Sequence, residues 1–284
     1  MLQLFEGQLD KIRLQKLLFL IAQRQEDRAY DFVPYRFGCF SFSANADLST
    51  MVKKGFLAED ERSFAKQDAT DYLSQLKSSD RKLLQEVKDH YGRMNASALM
   101  KHTYLNFPFY AIKSEAAEGL LSREELQKVI DAKPQTDRTI LFTIGYEGIS
   151  LEEYLTRLIR QDVKVLVDVR HNPLSMKYGF SKSQLKKFCE SLGIQYLHIP
   201  EVGIQSEQRQ ELHAQSDYDR LFESYRETNL TRTKEYQLRI LNLLKEHHRI
   251  ALTCFEANIC QCHRKHLAEA IEHLPDFDYE VRHI

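Results

Sequence analysis

The chain has 284 residues, 43% apolar and 29% charged, with a formal net charge of −1. That is a globular composition, long enough for two ordinary cores, and its near-zero charge excludes a global electrostatic pull on nucleic acid, leaving any such contact to local patches. No apolar run approaches the ~20 residues that cross a bilayer, the charged start MLQLFEGQLDKIRLQK lacks a secretory signal, and five cysteines suggest no disulfide framework. The expectation is a reduced, cytoplasmic protein with no membrane contact.

Residues 9–25 repeat Ile12, Leu14, Leu17, Leu18 and Ile21 at helical spacing, an amphipathic helix with a basic flank. Pro34 and Gly38 break the next stretch, and a helix resumes through Leu48, Met51 and Val52 until Gly55 stops it. The residues FL, followed by the charged AEDERSF, begin a β-wing. Helix, turn, helix, wing is the pattern of a winged-helix unit. Residues 66–130 read as mostly helical, interrupted at NFPFY, with a capping box at Ser122 and Glu125. Polar residues around Pro134 place a boundary near 131–138. The expected domains are therefore a helical, winged-helix-like domain over 1–130 and an α/β domain over 138–284.

Past the boundary the rhythm changes. RTILFTIGYEG is an apolar strand ending in glycines, and Ser150 with Glu153 caps the helix after it. VKVLVDVR is a second strand, Ser181 with Gln184 opens another helix, and QYLHI is a third strand. Two helical segments fill about 216–247; RIALTCFE, HRKHLAEAIEHL and DYEVRHI then give strand, helix and last strand. Strands alternating with helices predict a parallel, Rossmann-like α/β layer. There are no internal repeats or low-complexity tracts.

In such sheets ligands bind outside the carboxyl ends of the strands. Four strand endings carry unusual polar residues: Tyr146 and Glu147; Asp168, Arg170, Asn172 and Ser175; Pro200, Glu201 and Gly203; and Glu256 through Arg264. Their convergence on one edge predicts a single site.

The motifs TIGYEG, LVDVRHNPLS, QYLHIPEVG, the tyrosine of FESYRE and LTCFEANICQCHR resemble, in order and spacing, the family called domain of unknown function 488, over about residues 139–284. The resemblance implies an α/β domain with its site at these motifs, and names no reaction. LQKLLFL and VPYRFGCFS are loosely similar to winged-helix modules of the Panacea (SocA-like) type.

The segment CFEANICQCHR concentrates the chemistry. A zinc knuckle would use Cys254, Cys260, Cys262 and His263, but knuckles favour paired C-x2-4-C spacing. The tight pair here is C-x-C, and Cys254 lies in an apolar strand. Cys254 and Cys260 read instead as small hydrophobes, and neither a metal nor a cofactor is expected. Cys262, at a helix start beside Arg264, sits where a thiolate is stabilised, so it reads either as a nucleophile assisted by His263 or as packing. The strand-loop-Cys-Arg-helix order resembles rhodanese-like sulfurtransferases and cysteine phosphatases, although this loop has no glycine. Arg170 and Arg264 are expected to hold an anion bidentately, with Asp168 and Glu256 orienting them or moving protons. Ser175 and Glu147 would complete the binding site, and Tyr146 and Tyr178 could stack on a base. Lys53 and Lys54 end the helix that would read DNA.

Two function classes follow. One is a nucleotide- or nucleic-acid-associated protein whose α/β half binds and processes a phosphate-bearing ligand, the other half docking on DNA or a partner protein. The other is a non-catalytic, DNA-binding or antitoxin-like regulator sensing a small anion. A rhodanese-like cysteine enzyme is a further alternative, and a homodimer is compatible with each.

Overall fold

The computed structural model describes residues 1–205 and 214–284. They form two compact units, Met1–Lys133 and Pro134–Ile284.

In the first unit β1 (Gln8–Asp10) runs into α1 (Lys11–Ala22), where the Asp10 carboxylate accepts from Ile12 N and Arg13 N. A hairpin of β2 (Val33–Tyr35) and β3 (Gly38–Phe40) follows. In the sequence this hairpin registers only as a break at Pro34 and Gly38, since three-residue strands are too short to show alternation. α2 (Phe42–Lys53) is capped by Ser41, whose hydroxyl accepts from Ala44 N. It ends at Gly55, where φ is 75° and Gly55 N and Phe56 N donate to Val52 O and Met51 O. That pair of bonds needs the left-handed conformation glycine tolerates. β4 (Leu57–Glu59) and β5 (Ser63–Lys66) form the hairpin the charged stretch suggested, and β1 joins it to give the antiparallel order β1-β5-β4.

Helix resumes only at α3 (Ser78–Tyr91), later than the expected residue 66. Asp68 and Asp71 explain the delay: they accept from Tyr72 Oη and from Leu73 N, giving the chain a local alternative to helix. α4 (Ala96–Asn106), a 3-10 turn at Pro108–Ala111, α5 (Ala117–Leu120) and α6 (Arg123–Asp131) complete the unit, the last with the capping box of Ser122 and Glu125. Leu17, Phe19 and Leu99 are wholly buried at its core.

The second unit runs β6 (Ile140–Gly145), α7 (Leu151–Arg160), β7 (Val165–Asp168), α8 (Lys182–Ser191), β8 (Gln195–His198), α9 (Gln215–Ser224), α10 (Lys234–His247), β9 (Arg249–Cys254), α11 (His263–Glu272) and β10 (Glu280–His283). A π-helical turn, Tyr225–Leu230, follows α9. The five strands pair in parallel in the order β10-β6-β9-β7-β8, the Rossmann-like layer the alternation predicted. Alternate strand residues choose alternate faces. Leu141, Val165, Val167, Ile250 and Leu252 pack with α10 and α11. On the other face Tyr154 of α7 donates its hydroxyl to Thr253 Oγ1 at 2.8 Å, with Leu185 and Cys189 of α8 buried nearby. Among the described residues no helix is long and apolar enough to cross a membrane.

Candidate functional site

Because all five strands are parallel, β6, β9, β7 and β8 end on one edge, and backbone bonds join the loops that leave them. Tyr146 N and Glu147 N both donate to Phe255 O, at 3.0 and 2.9 Å. The Glu147 carboxylate in turn accepts from Ala257 N at 2.9 Å. A Cβ at Gly145 would lie 2.0 Å from Glu256 O, so only glycine lets these two loops meet.

Asp168 and Arg170 form the buried centre of the edge. Asp168 Oδ1 accepts from Arg170 N at 3.1 Å and Nε at 2.8 Å, while Oδ2 accepts from Arg170 Nη2 at 2.5 Å and Tyr196 Oη at 2.6 Å. Arg170 Nη1 donates to Tyr146 Oη at 2.7 Å and to Phe180 O at 2.9 Å. Burial works against the guanidinium's charge, but the bonds and charge of Asp168, helped by Tyr146, outweigh it and hold the pKa above its ordinary value. Burial, then Asp168, pushes the Tyr196 hydroxyl up. The ring of Tyr146 lies parallel to Phe180 at 4.2 Å, and Arg170 sits 5.1 Å from its centroid.

The opening of α11 differs from expectation. Cys262 occupies the N-cap position as expected, but its thiol makes no capping bond and is fully buried. Burial above all, then Cys254 and Glu256, raises its thiol well above the ordinary value, and Arg264 offsets this only in part. Desolvation therefore overrides the helix start, and the low-pKa thiolate expected at Cys262 is not what this geometry favours. Arg264 is buried as well, donating to the carbonyls of Glu256 and Ala257, so it fastens the loop and does not join Arg170 in an open anion clamp.

The thiol that meets a base is Cys254. Its Sγ lies 3.1 Å from Glu256 Oε2 and 3.5 Å from His263 Nδ1. His263 Nε2 is 3.1 Å from Val169 O. A carbonyl only accepts, so Nε2 carries the proton and, in the neutral ring, Nδ1 faces the thiol as an acceptor. The strand reading of Cys254 as a mere hydrophobe missed that it is the last residue of β9, two residues from Leu252 and hence on the face where α11 begins.

Cys254 and His263 line a cavity of about 310 Å³, together with Tyr146, Arg170 and Ser175. Asp168, Glu147, Glu256, Cys262 and Arg264 support this cavity from outside its lining. The lining also includes His171, which lies within the motif LVDVRHNPLS but carries no role in the sequence reading; its Nδ1 lies 3.2 Å from Pro200 O. Among the described lining residues there is a guanidinium and two imidazoles but no carboxylate. Leu174, 78% exposed, Met176, 104% exposed, and the exposed Phe255 form an apolar lip. Cys254, Cys262 and His263 also place a potential metal-ligating atom each within 4.8 Å of one another, a grouping the spacing argument had set aside; Cys260 is exposed and outside it.

Residues 150–271 match the family model described as Domain of unknown function DUF488. The match is narrower than the expected 139–284 and contains Asp168, Arg170, Cys254 and the Cys262–Arg264 segment. No curated protein and no solved structure matches the chain.

Proposed function

With residues 150–271 placed in that family, we propose that the second unit is a processing domain for phosphate-bearing ligands of the nucleotide or nucleic-acid class. The observation that carries the proposal is the cavity's chemistry: carboxylate-free in its described lining, with one guanidinium and two imidazoles, apolar at its lip, and with a thiol and an imidazole in contact on its floor. Arg170, held by Asp168, presents a guanidinium edge, His171 and Ser175 supply polar contacts, and Leu174, Met176 and Phe255 give a nucleobase an apolar surface. Cys254 is the reacting thiol and His263 its base. A second, non-catalytic reading is favoured by one fact: Cys254 is only 2% exposed, with its thiol against Glu256. In that case the same cavity senses the ligand without turnover.

The first unit serves as the docking element. Its support is the arrangement of α2 with the β4–β5 hairpin, a winged-helix-like pairing with exposed Lys53 and Lys54 at the helix end. Glu59, Asp60 and Glu61 at the hairpin tip oppose phosphate, so contact with duplex DNA is weak and salt-dependent.

The test is alkylation of the full chain by iodoacetamide, followed residue by residue by mass spectrometry, with adenosine 5′-monophosphate or a 5′-phosphorylated dinucleotide as protecting probe. Cys254 is expected to react more slowly with either probe present, while exposed Cys260 is unaffected. Equal Cys254 rates with and without both probes, and no heat of binding for either, would reject the proposal. Binding without any chemical change in the probe would select the sensor.

A further inference from the structure

We infer that Cys254, Cys262 and His263 form a site for a soft divalent metal ion, zinc by preference, at the floor of the cavity, which Cys254 and His263 line and Cys262 backs; the inference rests on the proposed phosphate-binding use of that cavity and replaces Cys254 as its reacting group. Zinc binds cysteine sulfur at about 2.3 Å and histidine nitrogen at about 2.0–2.1 Å, so tetrahedral ligands stand about 3.5 Å apart for a sulfur–nitrogen pair and about 3.8 Å for two sulfurs. Cys254 Sγ and His263 Nδ1 stand 3.5 Å apart, and all three ligand atoms lie within 4.8 Å of one another. The site is therefore close to assembled without movement of the backbone.

Its surroundings match the chemistry. A metal-bound imidazole usually gives its other N–H to a carbonyl or carboxylate, which fixes the ring. His263 does so through Nε2 and Val169 O at 3.1 Å. All three residues sit at the junction of β9 and α11, where regular structure holds them. Two thiolates and an imidazole select zinc over magnesium or calcium, and the thiolates balance its charge. Three protein ligands with one position left over is the pattern of catalytic zinc, structural sites having four. Cys254 and His263 line the cavity, so the remaining position is on the side where a water molecule or a phosphate oxygen would come. With the ion bound, Cys254 is a ligand and the reacting group is whatever occupies that position.

The experiment strips the full chain with a chelator, titrates it with cobalt(II), and then displaces the cobalt with zinc. One cobalt per chain is expected, with the sulfur-to-cobalt charge-transfer absorption and visible bands of a tetrahedral thiolate site. Cys254→Ser and Cys262→Ser should each weaken binding roughly 100-fold or more, while Cys260→Ser should leave it unchanged. A wild-type spectrum without the sulfur-to-cobalt band overturns the inference even if the variants fail to fold. So does a band that survives both serine substitutions or disappears in Cys260→Ser. Adenosine 5′-monophosphate titrated into stripped and zinc-loaded protein separates the two ideas. Nucleotide binding without zinc binding removes the metal alone, and zinc binding without nucleotide binding removes the phosphate ligand alone.

Discussion

Both units bury cations, and Lys16 of the first and Arg170 of the second are held by opposite means. In the first, Lys16 on α1 is 2% exposed and donates to the Cys39 carbonyl at 2.8 Å. Burial lowers its pKa, and Cys39 offsets that only in part. In the second, Arg170 is 6% exposed yet its charge is reinforced, because burial is outweighed by Asp168 bonded along the guanidinium. Burial alone thus does not decide the fate of a charge; the counter-charge does. The lysine behaves as a long apolar stem with a polar end, whereas the arginine is half of a pair that neither partner can leave.

The sharpest break of that contrast is Asp168→Asn, or equally Arg170→Met, which strands one buried charge. Either should cost about 3–5 kcal/mol of stability, read as a fall in the urea midpoint of the second unit. Gly145→Ala leaves the pair intact but drives a Cβ toward Glu256 O. About 1–3 kcal/mol is expected from such overpacking, with a weaker response of Cys254 to the nucleotide probe. Tyr196→Phe removes one of Asp168's donors and should cost about 1 kcal/mol. Lys16→Met is the counterpart of Arg170→Met, and it should stay within about 1 kcal/mol of wild type, since only a neutral-acceptor bond is lost. A loss as large as that of Arg170→Met would erase the distinction. The fully exposed case comes last: Lys53→Ala with Lys54→Ala should leave stability unchanged and reduce the salt slope of any duplex binding by about 1.8, measured by fluorescence anisotropy.

Where periodicity was long enough to speak, it read well. The strands RTILFTIG, VKVLVDVR and RIALTC appear where apolar runs put them, and Gly55 and the Ser122–Glu125 box end and begin helices as their chemistry requires. The hairpin at Val33–Phe40 and the irregular stretch before α3 were not legible, because short strands and aspartate-capped turns leave no repeat. At the edge, the pairing of Asp168 with Arg170 followed from two residues at a strand end, but the sides exchanged between cysteines did not. Whether a thiol at a helix start is stabilised depends on its exposure, and Cys262 is fully buried. Whether a cysteine in an apolar strand is inert depends on what the next helix brings to it, and α11 brings His263 to Cys254. Charge pairs of adjacent residues survive in one dimension; exposure and cross-element contact do not.

The strand order has a consequence for the time course of folding. β7 and β8 are neighbours separated by a single helix, so they can pair as soon as residues 165–198 exist. β6 precedes both, yet its neighbours are β9 and β10, over a hundred residues farther along. Until residues 249–254 arrive, the apolar run ILFTIG has neither edge satisfied and waits as a sticky segment on the nascent chain. Closing such a long loop makes insertion of β9 the slow step of the sheet. The cavity floor, carried by β9 and the start of α11, therefore cannot take shape before that insertion. A polypeptide stopped before residue 249 would keep the β7–β8 pair and still aggregate through β6.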